Sequence, residues 1–168
     1  MNTSYTISLI ISLLLTLTGS GQTAQDYYKR GSEKYKISDY NGAIVDFSKA
    51  MEIDPKNARA YFGRGNSKYF LQDFTGAITD LTTGIEIEHD IPGTHYIRGM
   101  AKYGLKDYRG AIADFTVEIQ IKPMADIYFY RGISEYILGQ KDSGCLDLSK
   151  AGEMGNLKAY DAIKKYCQ

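Results

Sequence analysis

Residues 40–55 read Tyr40-Asn-Gly-Ala-Ile-Val-Asp-Phe-Ser-Lys-Ala-Met-Glu-Ile-Asp-Pro55, and this stretch decides the fold. Asn41 to Ile53 carries a helical pattern. Asp54-Pro55 ends it, because the residue before a proline is pushed out of the α region. Upstream, Ser38-Asp39-Tyr40 makes a turn, and Asp26 to Ile37 forms a second helical pattern before it. The unit is therefore a helix, a tight turn and a second helix.

The unit recurs along the chain. Arg-Gly pairs stand at Arg30-Gly31, Arg64-Gly65, Arg98-Gly99 and Arg131-Gly132, spaced by 34, 34 and 33 residues. An aspartate follows each arginine by 16 residues (Asp46, Asp80, Asp114, Asp147), and a small residue follows by 13 (Ala43, Ala77, Ala111, Gly144). A tyrosine follows by five: Tyr35, Tyr69, Tyr103 and Tyr136. The later turns fall at Gln72-Asp73, Lys106-Asp107 and Gly139-Gln140-Lys141. Pro123 closes the third unit as Pro55 closes the first, whereas His89 takes that place in the second and Pro92 arrives three residues later. Each mid-helix Gly costs ~1 kcal/mol relative to Ala, so 17 glycines in a helical chain need a reason. A Gly in the first helix facing a small residue in the second lets the axes approach, and a larger side chain there overpacks the contact. Leu157 to Tyr166 adds an amphipathic helix, with Leu157, Tyr160, Ile163 and Cys167 to one side, which caps the array. Nine helices are expected.

The period, the Arg-Gly pair, the small residue after the turn and the closing proline together resemble tetratricopeptide repeats. The ending Cys145-Leu-Asp-Leu-Ser-Lys-Ala-Gly-Glu with Ile163-Lys-Lys-Tyr-Cys167 is similar to that of many exported bacterial members of the family. The resemblance implies an all-α, right-handed superhelical solenoid of four helix pairs plus a C-terminal capping helix. Its boundaries are a leader at 1–24, repeats at 25–56, 57–91, 92–124 and 125–155, and the cap at 156–168. It also implies a scaffold or adaptor whose first helices line a concave groove that holds a partner's peptide or helix.

Residues two before and five after each arginine share a face, two turns apart. They are Tyr28 and Tyr35, Phe62 and Tyr69, Tyr96 and Tyr103, Phe129 and Tyr136, with Ser32, Asn66, Met100 and Ile133 between them. Tyrosine offers broad apolar area with one hydroxyl, which suits peptide recognition. The competing reading is that these rings pack helix on helix. Met100 and Ile133 make the C-terminal half the more apolar end, where partner contacts are expected. The basic residues with which one subgroup of the family clamps a C-terminal carboxylate are absent from this face.

The arginines and aspartates suggest structural ion pairs. Counted from the turn, Arg30 lies about nine residues away and Asp46 about six, a mismatch of ~4.5 Å at 1.5 Å per residue. Counted across the linker the match is better, so pairs Asp46–Arg64, Asp80–Arg98 and Asp114–Arg131 are expected between neighbouring repeats. A ligand-binding row of arginines is the rival reading. Cys145 starts the last second helix and Cys167 ends the cap. Antiparallel packing brings both sulfurs to one end, which makes a disulfide a candidate. The alternative is a buried thiol at Cys145 and a loose one at Cys167.

Met1 to Ala24 contain no charged side chain, and Ile7 to Leu17 form an apolar run of eleven residues. Such a run is too short to span a bilayer comfortably and resembles a secretory signal peptide, although no Lys or Arg precedes it. The expectation is export to a bacterial periplasm or the exterior, with an uncleaved anchor as the alternative and no membrane insertion of the mature chain. Twenty basic and 20 acidic residues cancel, so nothing points to nucleic acid. His89 and His95 are the two histidines, and no metal-ligand, nucleophile, paired-carboxylate or nucleotide motif is present. The chain reads as no enzyme, without metal or cofactor, a monomer or weak oligomer that binds an unidentified protein or peptide. The alternatives are a self-associating structural element of an envelope complex and a small-ligand binder.

Overall fold

The computed structural model describes residues 21–89 and 91–167. The expected signal segment thus lies mostly outside the described residues. Helices α1 (Ala24–Lys36), α2 (Tyr40–Ile53), α3 (Ala58–Phe70), α4 (Phe74–Ile87), α5 (Thr94–Gly104), α6 (Tyr108–Ile121), α7 (Ala125–Ile137), α8 (Lys141–Glu153) and α9 (Leu157–Tyr166) account for the secondary structure of the described residues. No helix among them is long and apolar enough to cross a membrane. Each odd helix packs on the even helix that follows, each pair packs on the next, and successive odd helices touch along one side. That succession is the solenoid of four pairs with α9 closing the end.

Local chemistry sets the helix boundaries. Thr23 and Asp26 form a reciprocal capping box, so α1 begins within the leader boundary expected at Ala24. Asp39, Asp73 and Asp107 each accept from the backbone N–H three residues on and cap α2, α4 and α6. The same three aspartates donate backwards: their N–H groups reach the Lys34, Lys68 and Lys102 carbonyls at 2.9 Å, closing a Schellman motif on the preceding helix. This double use compresses the turn to three residues. Its cost is a left-handed residue at Ser38, Gln72 and Lys106, with φ of 63–64°, where the fourth turn has Gly139 at 83°.

The core repeats with the sequence. Ala43, Ala77 and Ala111 are fully buried, and Phe47, Leu81, Phe115 and Leu148 are nearly or fully so. The glycine after each arginine packs on that second set rather than on the small residue alone. A Cβ on Gly31 would stand 2.9 Å from the Phe47 ring, and one on Gly99 would stand 2.7 Å from Phe115. In the fourth pair, Gly132 and Gly144 do face each other, each Cβ meeting the other's carbonyl oxygen within 2.8 Å. The cap α9 buries Ala159 and Ala162, and leaves Leu157 and Tyr160 exposed. Ala159 and the edge of the Tyr160 ring lie over Gly152 of α8, and the Tyr160 hydroxyl donates to the Gly152 carbonyl at 3.1 Å.

The third pair starts differently. α5 follows Gly93, which has φ of +88° and no side chain to cap the helix. The carboxylate of Glu118, fully buried near the end of α6, takes the cap's place: Oε1 accepts from Gly93 N–H at 2.8 Å and Oε2 from Tyr96 N–H at 3.3 Å.

Candidate protein-binding groove

Two helical turns separate the aromatic positions on each odd helix, and most of those rings are held by neighbouring rings. Tyr35 meets Tyr40 with centroids 5.6 Å apart, Tyr69 meets Phe74 at 5.8 Å, and Tyr103 meets Tyr108 at 5.5 Å, each the first or second ring across its own turn. Tyr96 lies on Phe115 at 6.3 Å, Phe129 against Tyr130 at 5.3 Å, and Tyr136 against Tyr166 of the cap at 4.6 Å. Burial pushes the phenols of Tyr35, Tyr69 and Tyr103 above their ordinary pKa, and that of Tyr96 furthest. These tyrosines stay neutral across the physiological range.

Open space remains between α1 and α3. A concavity of about 230 Å³ is lined by Tyr28, Tyr35, Phe47, Phe62, Ser32 and Asn66, with the exposed Lys36 and Arg59 alongside and Gly63 in its wall. The Phe47 ring tip rests against Gly63. Ser32 spends its hydroxyl on the Tyr28 carbonyl at 2.9 Å, whereas the buried Asn66 Oδ1 has no hydrogen-bond partner. Aromatic faces thus dominate the lining, with the Lys36 and Arg59 cations at its edge.

This concavity lies in the N-terminal half of the array, whereas the partner contacts expected from the sequence lie in the more apolar C-terminal half. The halves differ one residue after the aromatic position. There α3 has Gly63, but α5 has Ile97 and α7 has Tyr130. Tyr130 packs on Tyr103 at 5.3 Å and on Phe115, whereas at Gly63 the tip of the Phe47 ring takes the place a side chain would occupy. Met100 is drawn into the same packing, and Ile133 is half-buried.

The ion pairs differ from expectation. Arg64 does not reach Asp46, nor Arg98 Asp80, nor Arg131 Asp114. Each arginine grips the aspartate of its own pair through Nε and Nη2: Arg30–Asp46, Arg64–Asp80, Arg98–Asp114 and Arg131–Asp147, with Nε distances of 2.8, 2.8, 2.9 and 2.6 Å. The count from the turn had misplaced the helix ends. Arg30 lies six residues before the last residue of α1 and Asp46 six after the first of α2, so the two are level. The link between repeats exists, but it runs to a hydroxyl. Nη1 of Arg64, Arg98 and Arg131 donates to Ser48, Thr82 and Thr116 at 3.0–3.1 Å, each two residues after the previous aspartate. Nothing in the spacing analysis singled out that column.

A lysine one turn after each of the first three arginines completes a triad. Lys34, Lys68 and Lys102 reach Asp46, Asp80 and Asp114 at 2.8–2.9 Å. The Arg30 and Lys34 hydrogen bonds hold the Asp46 carboxyl down at about 2. At Asp114 burial works the other way, but Arg98 and Lys102 keep the carboxyl below its ordinary value. Cys145 and Cys167 are joined in a disulfide with Cα atoms 5.8 Å apart, tying the start of α8 to the end of α9. Among the described residues, no three His, Cys, Asp or Glu side chains converge as a metal site.

Comparison with known proteins agrees with this architecture. Residues 31–72 match the family model of the TPR repeat. No curated protein matches the chain significantly. The crystal structure of MamA protein superposes with a TM-score of 0.78 at 24% identity, covering 85% of this chain and 80% of that one. The first TPR of Spaghetti (RPAP3), bound to the HSP90 peptide SRMEEVD, gives 0.67 at 21% identity over 71% of this chain and 96% of its own. A thermophilic TPR protein of Thermus thermophilus gives 0.63 at 17% identity, covering 80% of this chain and 75% of that one. Residues 31–72 thus match the TPR repeat model, and the stacked helix pairs of the described residues have the fold of these TPR solenoids.

Proposed function

We propose that the chain is a non-enzymatic, exported scaffold that holds an extended segment of a partner protein on its concave face, anchored in the aromatic concavity between α1 and α3. The observation that carries this is the combination of open volume and aromatic lining at one place on that face. An apolar partner side chain gains contact with Tyr28, Phe47 and Phe62, and the Lys36 and Arg59 cations at the edge suit an acidic neighbour in the partner segment. That one structural neighbour is held with a bound peptide supports an interaction role for the fold. Export is supported by the uncharged leader and by the disulfide, which persists in oxidising compartments.

Site-specific photo-crosslinking in the native envelope tests this. A crosslinking residue at position 66 is expected to capture a discrete partner adduct that disappears in Phe62→Ala. The same residue at exposed Val45 of α2, outside the concavity, is expected to capture none. Equal capture from both positions, or an adduct indifferent to Phe62→Ala, contradicts the reading.

A further inference from the structure

In three pairs an ammonium stands one turn after the arginine, and in the fourth a carboxylate stands there. Glu135 occupies the position of Lys34, Lys68 and Lys102. The Arg131 guanidinium remains bound to Asp147 at 2.6 and 2.9 Å, so the fourth pair has two acids and one cation where each of the others has one acid and two cations. Glu135 Oε2 is buried without a hydrogen-bond partner. The Asp147 side chain is 12% exposed where Asp46, Asp80 and Asp114 are at 1–4%, so this aspartate is the least covered of the four.

We propose that the fourth helix pair is a proton-responsive element: acidification places a proton on Glu135, neutralises its buried and unpartnered oxygen and stabilises α7 against α8, while the first three pairs, with lysine at this position, do not respond.

The groups around Glu135 are identifiable. α8 presents Asp147 and the Ser143 hydroxyl, and its own helix presents Arg131. From α6 comes Thr116, whose hydroxyl accepts from Arg131, and Lys102 of α5 is held by Asp114 in the third pair. Lys141 of α8 lies over the Tyr136 ring. Burial first, and then the Asp147 charge, raise the Glu135 carboxyl above its ordinary value, with Arg131 and Ser143 opposing. An acid raised in the folded state gives stability that is complete below the unfolded glutamate value and is lost as pH climbs through the folded one. The strained state is therefore the neutral one. Its effect reaches the cap, because Tyr136 follows Glu135 and packs on Tyr166, and Cys145 two residues before Asp147 holds Cys167.

The test compares thermal unfolding of the full disulfide-bonded chain with Glu135→Gln and Glu135→Lys at pH 4 and pH 7.5. At pH 7.5 both variants are expected to melt several degrees above the wild type. At pH 4 the glutamine advantage is expected to vanish, while the lysine variant keeps part of its own by completing the triad. Carbon-detected titration of the wild-type Glu135 carboxyl provides a readout independent of variant folding, with a midpoint expected above those of the exposed glutamates. Amide exchange in α7 and α8, corrected for intrinsic rate, is expected to slow several-fold on acidification, with no matching change in α1 and α2. A pH-independent gap between glutamine variant and wild type, or a Glu135 midpoint at or below the exposed glutamates, overturns the proposal.

Discussion

Glu118→Ala isolates one contact whose loss can be estimated. The equivalent positions in the other pairs hold Ala50, Gly84 and Ala151, so the backbone accepts a small residue there. What the substitution removes is the acceptor for two N–H groups at the start of α5, at 2.8 and 3.3 Å. Each buried donor left unpaired costs ~1–3 kcal/mol, and water entering the vacated volume recovers part of it. Loss of a negative charge at a helix N-terminus adds ~0.5–1 kcal/mol. The sum is about 2–4 kcal/mol, which for an array of this size lowers the melting temperature by roughly 10 °C. Glu118→Gln keeps one carbonyl acceptor but aims its amide at the second N–H, so roughly half of that loss is expected. Circular dichroism melts give the stability, and hydrogen exchange at the Gly93 and Tyr96 amides localises it. If Glu118→Ala melts with the wild type, or if those two amides keep their protection, the carboxylate is not the cap and the reasoning fails.

Two further outcomes follow from the turns and the triads. Gln72→Gly and Lys106→Gly relieve left-handed residues at φ of 63° and 64°, and each is expected to stabilise by about 0.5–1 kcal/mol in urea unfolding; no gain in either variant would mean that the turns hold no such strain. Asp46 titrates at about 2 and Asp114 below its ordinary value, so their stabilisation is complete above the unfolded aspartate value near pH 4 and is lost as pH falls towards 2. Asp46→Asn is expected to flatten that acid limb of the urea-midpoint profile, and to leave the shape of the profile between pH 5 and 8 unchanged.

Positions that repeat were legible in the sequence, and positions that break the repeat were not. The Arg-Gly, Ala and Asp columns gave away the helix pairs because a stack of identical units forces the same small residues and the same fork into every copy. Pairing the forks needed helix ends to within one residue, and a count from the apparent turn could not supply that, since Asp39 belongs to both neighbouring helices' hydrogen bonding. The departures tell more about this protein than the columns do. Gly63 in place of Ile97 and Tyr130 decides how the Phe47 ring seats in the wall of the concavity. Glu118 in place of Ala50 decides how α5 begins, and Glu135 in place of Lys34 decides which pair carries unbalanced charge. Each was visible as a mismatch in an aligned column, but its meaning depended on what the neighbouring helix had placed opposite. A repeat uses its shared residues to stack. Residues the copies do not share give each pair its own surface, as at the column Ser32, Asn66, Met100 and Ile133, which differs in every copy.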